Sequence, residues 1–143
     1  HKTGWFDPMM TTGCSMGAYH AVNFFLQHPD VFNKVIALSG VYDARFFVGD
    51  CLDDEAIYQN SPADYIWNQN DGWFIDRYRN ADIIVCTGLG AWEQDGLPSF
   101  YTLKEAFKQK NIPAWFAEWG YDVSHDWIWW RKQMPYFLSQ LNL

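Results

Sequence analysis

The chain has 143 residues, of which 49% are hydrophobic and 19% charged, so it is long and apolar enough to form a domain with a core. Its formal net charge of −7 opposes binding to the phosphate backbone of a nucleic acid. No apolar run reaches about 18 residues, the length that a membrane-spanning helix requires. These values predict a single domain without a nucleic-acid partner or a membrane span.

The cysteines, Cys14, Cys51 and Cys86, are too few and too far apart for a disulfide framework or a zinc site. We therefore expect reduced thiols that are mostly buried, and no metal or other cofactor. No signal peptide is visible, and together with the odd number of cysteines this favours a cytoplasmic protein. Because the sequence starts with His1 rather than Met, we expect that a leader was removed or that the chain is part of a longer one.

The first part of the chain predicts a strand, a helix and a second strand. An apolar and β-branched run over residues 8–15 is typical of a buried strand. The helix predicted over 16–27 has apolar residues all round, so we expect it to be buried on most sides, with His20 packed within it. Pro29 ends this helix, and the apolar run at 35–38 predicts the next strand.

Residues 41–80 differ in composition from the rest of the chain. They hold eight Asp or Glu and three Arg, which is a net charge of −5. Turn-forming and helix-capping sequences, such as those at 60–64 and 68–72, predict short helices. We expect this segment to be an acidic excursion from the core.

A strand at 83–86, a helix at 99–110 and a strand at 114–119 follow the acidic segment. Asp126 then caps a last helix, in which Pro135 predicts a kink. Its apolar residues recur at steps of three and four, which predicts one buried face formed by Trp127, Trp130, Met134, Phe137 and Leu141. Short apolar strands alternating with helices predict a parallel sheet covered on both faces, with ligands beyond the carboxyl ends of the strands.

Residues 13–17 read Gly-Cys-Ser-Met-Gly, which matches the G-x-S-x-G pattern between a predicted strand and a predicted helix. In that context the pattern indicates a nucleophilic serine on a sharp turn. The backbone N–H of the next residue, at the positive end of the helix, can stabilise an oxyanion on the attacked acyl group. We therefore predict Ser15 as the nucleophile and Met16 as the oxyanion-binding residue.

A nucleophilic serine needs a base, and the base needs an acid that orients it. Among the histidines, His125 alone lies in a loop just past a predicted strand, on the same sheet edge as the serine. The acid should follow the third strand, where Glu93 and Asp95 lie, while Asp43 after the second strand is a third candidate. We favour Glu93, because it is nearer the strand end and lies beside Trp92, which could shield it.

With these residues in view, the chain resembles the C-terminal half of a putative esterase, in the esterase D-like branch of the α/β-hydrolase superfamily. The segments that carry the resemblance are residues 13–21, 28–32, 35–43 and 124–137. The resemblance implies a parallel-sheet α/β-hydrolase fold, of which residues 1–143 form the C-terminal portion, about the last four strands (5–8) with their flanking helices. It also implies Ser15 as nucleophile, His125 as base and an acid within 91–95.

The expected function is the hydrolysis of small-molecule carboxylic esters through an acyl-enzyme on the serine. Two alternatives stay open: acyl transfer to a sugar or another alcohol on the same site, and a non-catalytic fragment or accessory subunit. The family's strands 1–4 and the loop that supplies a second oxyanion donor are missing, so the strand at 8–15 should have an unpaired apolar edge. We expect an N-terminal segment or a second copy of the chain to cover that edge.

Overall fold

The computed structural model describes residues 7–49 and 54–141, so His1 and Cys51 lie outside the described residues. The elements, in chain order, are β1 (Met9–Cys14), α1 (Met16–Gln27), β2 (Phe32–Leu38), α2 (Arg45–Val48), α3 (Glu55–Tyr58), α4 (Pro62–Tyr65), a 3₁₀ turn (Ile66–Asn68), α5 (Gly72–Arg79), β3 (Asp82–Thr87), α6 (Leu97–Gln109), β4 (Trp115–Glu118) and α7 (Trp127–Gln140). In this part of the chain the strands are all parallel, in the order β1-β2-β3-β4, which confirms the predicted fold. No helix within it is long and apolar enough to cross a membrane.

Helices cover both faces of the sheet. On one face, α1, α6 and the helices of the acidic segment pack around a cluster that includes Val35 and Val85. On the other face, α7 packs around a cluster that includes Ile36 and Ile84. Successive residues of β2 and β3 thus point to opposite clusters, as the two-residue period of a strand requires.

The acidic segment at 41–80 contributes to the core, contrary to expectation. Its short helices form as predicted, but Tyr42, Ile66 and Tyr78 are fully buried in the main cluster. The Tyr78 hydroxyl donates a hydrogen bond to the carbonyl of Leu26, which ties α5 to α1. Two of its acidic residues, Asp54 and Asp71, cap α3 and α5, and the high share of such residues in its composition conceals the apolar side chains between them.

The first strand and helix are more exposed than predicted. No residue of β1 is buried, and Met9 is 40% exposed, because β1 is an edge strand that pairs only with β2 among the described residues. Helix α1 leaves Met16, His20 and Phe24 exposed as a stripe with a spacing of four residues. The prediction that His20 is packed is therefore wrong: its ring stacks on that of Phe24 in solvent, because this side of α1 faces away from the sheet.

The last helix follows its predicted course with two differences. Asp126 occupies the N-cap position of α7, but its side chain makes no capping hydrogen bond. Trp130 and Phe137 are buried on the inner face, whereas Trp127 is 60% exposed, because its ring packs on the outer side of Trp130. The helix runs through Pro135, where a kink stays a prediction.

The hydrogen-bond ladder of the sheet continues one residue beyond three of the strands. The N–H of Ser15 donates to the last carbonyl of β2 over 2.9 Å, and that of Ser39 donates to the carbonyl of Cys86 over 2.8 Å. The N–H of Trp119 donates to the last carbonyl of β3 over 2.9 Å. The first residues after β1, β2 and β4 are therefore held at the carboxyl edge of the sheet.

The glycines on either side of Ser15 have different surroundings. A Cβ on Gly13 would lie 2.3 Å from main-chain atoms of Gly17, so α1 can approach β1 this closely only because Gly13 has no side chain. A Cβ on Gly17 would meet no neighbouring atom within 4 Å. The turn thus requires glycine at its first position and not at its second.

We expect Gly13→Ala to lower the free energy of unfolding by about 3 kcal/mol, the upper part of the range for overpacking, because the opposing atoms are backbone. Gly17→Ala is the matched control and should raise it by about 0.5–1 kcal/mol, as alanine does inside a helix. Urea unfolding followed by circular dichroism measures both. Equal effects of the two substitutions would contradict this account of the turn.

Candidate active site

Ser15 lies at the sharp turn between β1 and α1. Its backbone angles are φ 56° and ψ −122°, a conformation that is strained for a residue with a side chain. Although it occupies the N-cap position of α1, it makes no capping hydrogen bond, so its Oγ can face other groups. Met16 is the first helical residue, so its N–H has no earlier carbonyl of the helix to bond.

Three of the predicted side chains lie in a row. His125 Nε2 is 3.0 Å from Ser15 Oγ, and His125 Nδ1 is 3.4 Å from Glu93 Oε2. The first separation is that of a good hydrogen bond, whereas the second is longer than the usual range. Glu93 is only 2% exposed. The arrangement joins a hydroxyl, an imidazole and a buried carboxylate.

The loops that carry Glu93 and His125 are joined through their main chains. The N–H of Gly90 donates to the carbonyl of Val123, and the N–H of His125 donates to the carbonyl of Ala91, both over 2.9 Å. A Cβ on Gly90 would lie 2.7 Å from the carbonyl oxygen of Val123, so these loops meet this closely because that residue is glycine. Backbone pairing therefore sets the carboxylate opposite the imidazole.

The other two candidate acids lie elsewhere. The Arg45 guanidinium binds Asp43, with Nη2 and Oδ2 2.6 Å apart. Burial raises the pKa of Asp43, but the hydrogen bonds and charge of Arg45 outweigh burial and hold that pKa below its usual value. Asp95 is exposed on the wall of the cavity above the serine. Of the three carboxylates predicted from the sequence, the structure brings Glu93 to His125.

A cavity of about 470 Å³ opens over Ser15, with Phe46, Phe47 and Trp92 among its lining residues. A second cavity, of about 360 Å³, is lined mostly by apolar side chains. Met16 and Phe47 line both cavities, so the two adjoin. The space next to the serine therefore has room for an apolar group.

The cysteines near this edge are free thiols. Cys14 is partly buried and Cys86 is buried. Burial raises the pKa of both thiols, and at Cys86 the charge of Glu93 adds to the effect. Both are therefore poor nucleophiles at neutral pH. Within residues 7–49 and 54–141, no group of three or more His, Cys, Asp or Glu could hold a metal ion.

Sequence reasoning missed two residues that contact the row. Ser39 Oγ donates to Glu93 Oε1 over 2.7 Å, and Trp130 Nε1 donates to Ser39 Oγ over 2.9 Å. Ser39 follows β2 at the sheet edge where ligands bind in such folds, and that position could have identified it. Trp130 was predicted only as a buried residue of the last helix, and no sequence signal marks its N–H.

Trp92 does not shield Glu93, as the sequence suggested. Its side chain is 81% exposed, and its φ of 68° is in the left-handed region, which is strained for a bulky residue. The hydrogen-bonded neighbour of the carboxylate is instead Ser39. The expectation failed because the left-handed backbone turns the indole away, toward the cavity mouth.

We expect Trp92→Gly to raise the free energy of unfolding by about 1 kcal/mol, because glycine relieves the left-handed strain. Trp92→Ala is the matched control; it removes the same exposed ring but keeps the strain, so it should produce no such gain. Chemical denaturation of the two variants and the wild type measures the difference. Equal free energies of unfolding for the alanine and glycine variants would contradict this account of the strain.

Comparison with known proteins agrees with the fold. Solved structures of α/β hydrolases share the parallel sheet and its flanking helices. The sequence profile of the family described as "Putative esterase" matches residues 2–141. The chain therefore belongs to this family, and its membership supports ester hydrolysis as the general class of chemistry.

Several solved structures resemble the chain. A ferulic acid esterase has a TM-score of 0.69 and 23% identity over 89% of this chain and 47% of that one. An S-formylglutathione hydrolase from Agrobacterium tumefaciens has a TM-score of 0.71 and 17% identity, over 90% and 46%. FphF, a fluorophosphonate-binding serine hydrolase from Staphylococcus aureus, has a TM-score of 0.61 and 18% identity, over 92% and 52%. The chain thus spans about half the length of these proteins, and no protein of curated function matches it.

Proposed function

We propose that this chain carries the catalytic residues of a serine carboxylesterase. The observation that carries the proposal is the row formed by Ser15, His125 and Glu93, with separations of 3.0 Å and 3.4 Å, in a member of the esterase family. Serine hydrolases use a hydroxyl, an imidazole and a carboxylate in this order. The chain order of serine, acid and histidine is that of α/β hydrolases.

In the proposed mechanism, Ser15 Oγ attacks the ester carbonyl while His125 Nε2 accepts its proton. The Glu93 carboxylate keeps a proton on Nδ1 and stabilises the imidazolium that forms. The imidazolium then gives its proton to the departing alcohol, which leaves the acyl group esterified to the serine. A water molecule that gives a proton to the same imidazole attacks this ester, and the imidazolium returns that proton to Ser15 Oγ as the acid leaves.

The N–H of Met16 is the proposed oxyanion donor. It starts a helix of 12 residues, so the positive end of the helix dipole lies beside Ser15. The first turn has no acidic residue that would offset this positive charge. By analogy with measured donors, one such N–H contributes about 2.7–4 kcal/mol to stabilising the transition state. We propose that a second donor comes from whatever covers the edge of β1, where the resemblance assigns strands 1–4.

The cavities support an ester with an apolar group as the substrate class. Phe46, Phe47 and Trp92 line the cavity over Ser15, and the adjoining cavity is mostly apolar. Asp95 is exposed on the same wall, and the chain carries a net charge of −7, which disfavours an anionic substrate. A small, uncharged ester fits these surroundings.

We expect Ser15→Ala and His125→Ala each to reduce kcat for p-nitrophenyl acetate by about 10³–10⁶-fold, with little further loss in the double variant, because triad residues act as a unit. A fluorophosphonate probe should add to the wild type at Ser15, which intact-mass analysis and peptide mapping can detect. His28→Ala is the control, since His28 is exposed, lies at the C-terminal end of α1 and lines neither cavity.

Turnover retained in a clean Ser15→Ala preparation would refute the assignment of Ser15 as the nucleophile. Absence of both labelling and turnover in the wild type would support a non-catalytic role. If added alcohols are esterified in preference to water, the same site performs acyl transfer, because the two reactions differ only in the group that removes the acyl chain.

We expect Glu93→Gln to lower kcat by about 10³–10⁴-fold, because an amide cannot stabilise the imidazolium. Asp95→Asn and Asp43→Asn are matched controls that remove one charge each and should change kcat little. Steady-state kinetics of the three variants measures the contrast. Equal, small losses in all three would mean that the orienting acid is another group.

We propose that an N-terminal segment or a second copy of the chain covers the outer edge of β1. Among the described residues this strand pairs on one side only, and such an edge is a site of association. Size-exclusion chromatography of the 143-residue chain should show a dimer or larger species, less active than a longer chain. A monodisperse monomer of 16.8 kDa with the activity of a longer chain would contradict this.

A further inference from the structure

A buried network of hydrogen bonds reaches the Glu93 oxygen that does not face His125. Trp130 Nε1 donates to Ser39 Oγ over 2.9 Å, and Ser39 Oγ donates to Glu93 Oε1 over 2.7 Å. All three side chains are buried. These hydrogen bonds join the start of α7, the end of β2 and the loop after β3, so three separate elements meet at one carboxylate.

The chemistry of the groups determines the direction of these hydrogen bonds. An indole N–H can only donate, so Ser39 Oγ must accept from Trp130. The serine hydroxyl has one proton, and Glu93 Oε1 accepts it. The other carboxylate oxygen, Oε2, then faces His125 Nδ1 at 3.4 Å. The two oxygens of Glu93 thus have different partners, which restrains rotation of the carboxylate.

Trp130 also contacts the imidazole directly. Its ring meets the His125 ring edge to face, with centroids 4.9 Å apart and an interplanar angle of 88°. One side chain therefore packs against the imidazole and, through Ser39, holds the carboxylate that faces it. We propose that Trp130 and Ser39 are positioning residues, which align Glu93 and His125 so that Nε2 faces Ser15; this inference rests on the proposed ester hydrolysis.

The backbone of Ser39 supports a role for its hydroxyl. Its φ of 58° lies in the left-handed region, which glycine adopts without strain and serine does not. Its N–H still donates to the Cys86 carbonyl over 2.8 Å, a contact that glycine would keep. Glycine would therefore satisfy the backbone at this position. Strained residues of this kind cluster at functional sites. A glycine at this position would lack the hydroxyl that donates to Glu93.

This conformation allows a test that separates positioning from stability. Ser39→Gly removes the hydroxyl and relieves the backbone, and the relief offsets part of the cost of leaving the buried Trp130 N–H and Glu93 carboxylate without this partner, so the variant should stay folded. Its kcat for p-nitrophenyl acetate should nevertheless fall by about 10–100-fold, with KM within about twofold, as for other groups that orient a catalytic side chain. Ser39→Thr keeps a hydroxyl on a more strained backbone, so it should retain more of kcat than Ser39→Gly, whichever of the two variants is the more stable.

Trp130→Phe tests the other donor, since it keeps an aromatic ring against His125 and removes the N–H. Its kcat should also fall with little change in KM. Two controls match these changes. Ser61→Ala removes a buried hydroxyl that accepts the Ala44 N–H over 2.9 Å. Trp115→Phe replaces an indole at the N-terminal end of β4, whereas the site lies at the carboxyl ends of the strands. Both should reduce stability without reducing kcat.

A double-mutant cycle identifies the group through which Ser39 acts. In the Glu93→Gln background, Ser39→Gly should cause no further loss of kcat, because the carboxylate that it positions is gone. Additive losses, or full kcat in Ser39→Gly, would overturn the inference while leaving the proposed function intact. A wild type without turnover would overturn the proposed function, and the inference with it.

Discussion

The register of the parallel sheet is the constraint on which the site depends. Hydrogen bonds from the N–H groups of Ser15, Ser39 and Trp119 extend the ladder beyond the strands, so each residue is held at the same edge. Residues far apart in the chain can therefore meet, as Ser15 and His125 do across 110 positions. The main-chain hydrogen bonds of the sheet therefore determine where these residues lie, and the loops supply short connections.

The fold followed from the sequence because strands and helices depend mainly on local patterns. Apolar runs and their bounding Gly and Pro residues predicted each strand near its observed place. Exposure was less predictable, because it depends on neighbours as well as on the residue itself. Helix α1 is apolar all round, yet Phe24 is exposed, and the apolar strand β1 lies at an edge. The acidic composition of 41–80 likewise concealed the buried Tyr42 and Tyr78.

For the site, residue types and order were predictable, and conformation was not. The motif at 13–17 and the loop after the fourth strand suggested Ser15 and His125 from position alone. Spacing could not distinguish Glu93 from Asp95, because both lie in one loop; the loop path buries the first and exposes the second. The left-handed backbone of Ser39 was not predictable, because serine, unlike glycine, is not favoured in that region.

The main-chain pairing of the two loops has a consequence for how the site can evolve. Backbone groups of Gly90, Ala91 and Val123 join the loops that carry Glu93 and His125, so the exposed side chains of these loops are not needed for that alignment. Trp92 and Tyr121, on the same loops, are 81% and 84% exposed. Mutations at such positions can change what an incoming ligand meets while Ser15, His125 and Glu93 keep their geometry. The exposed side chains of the two loops can therefore vary independently of the main-chain bonds that hold Glu93 and His125.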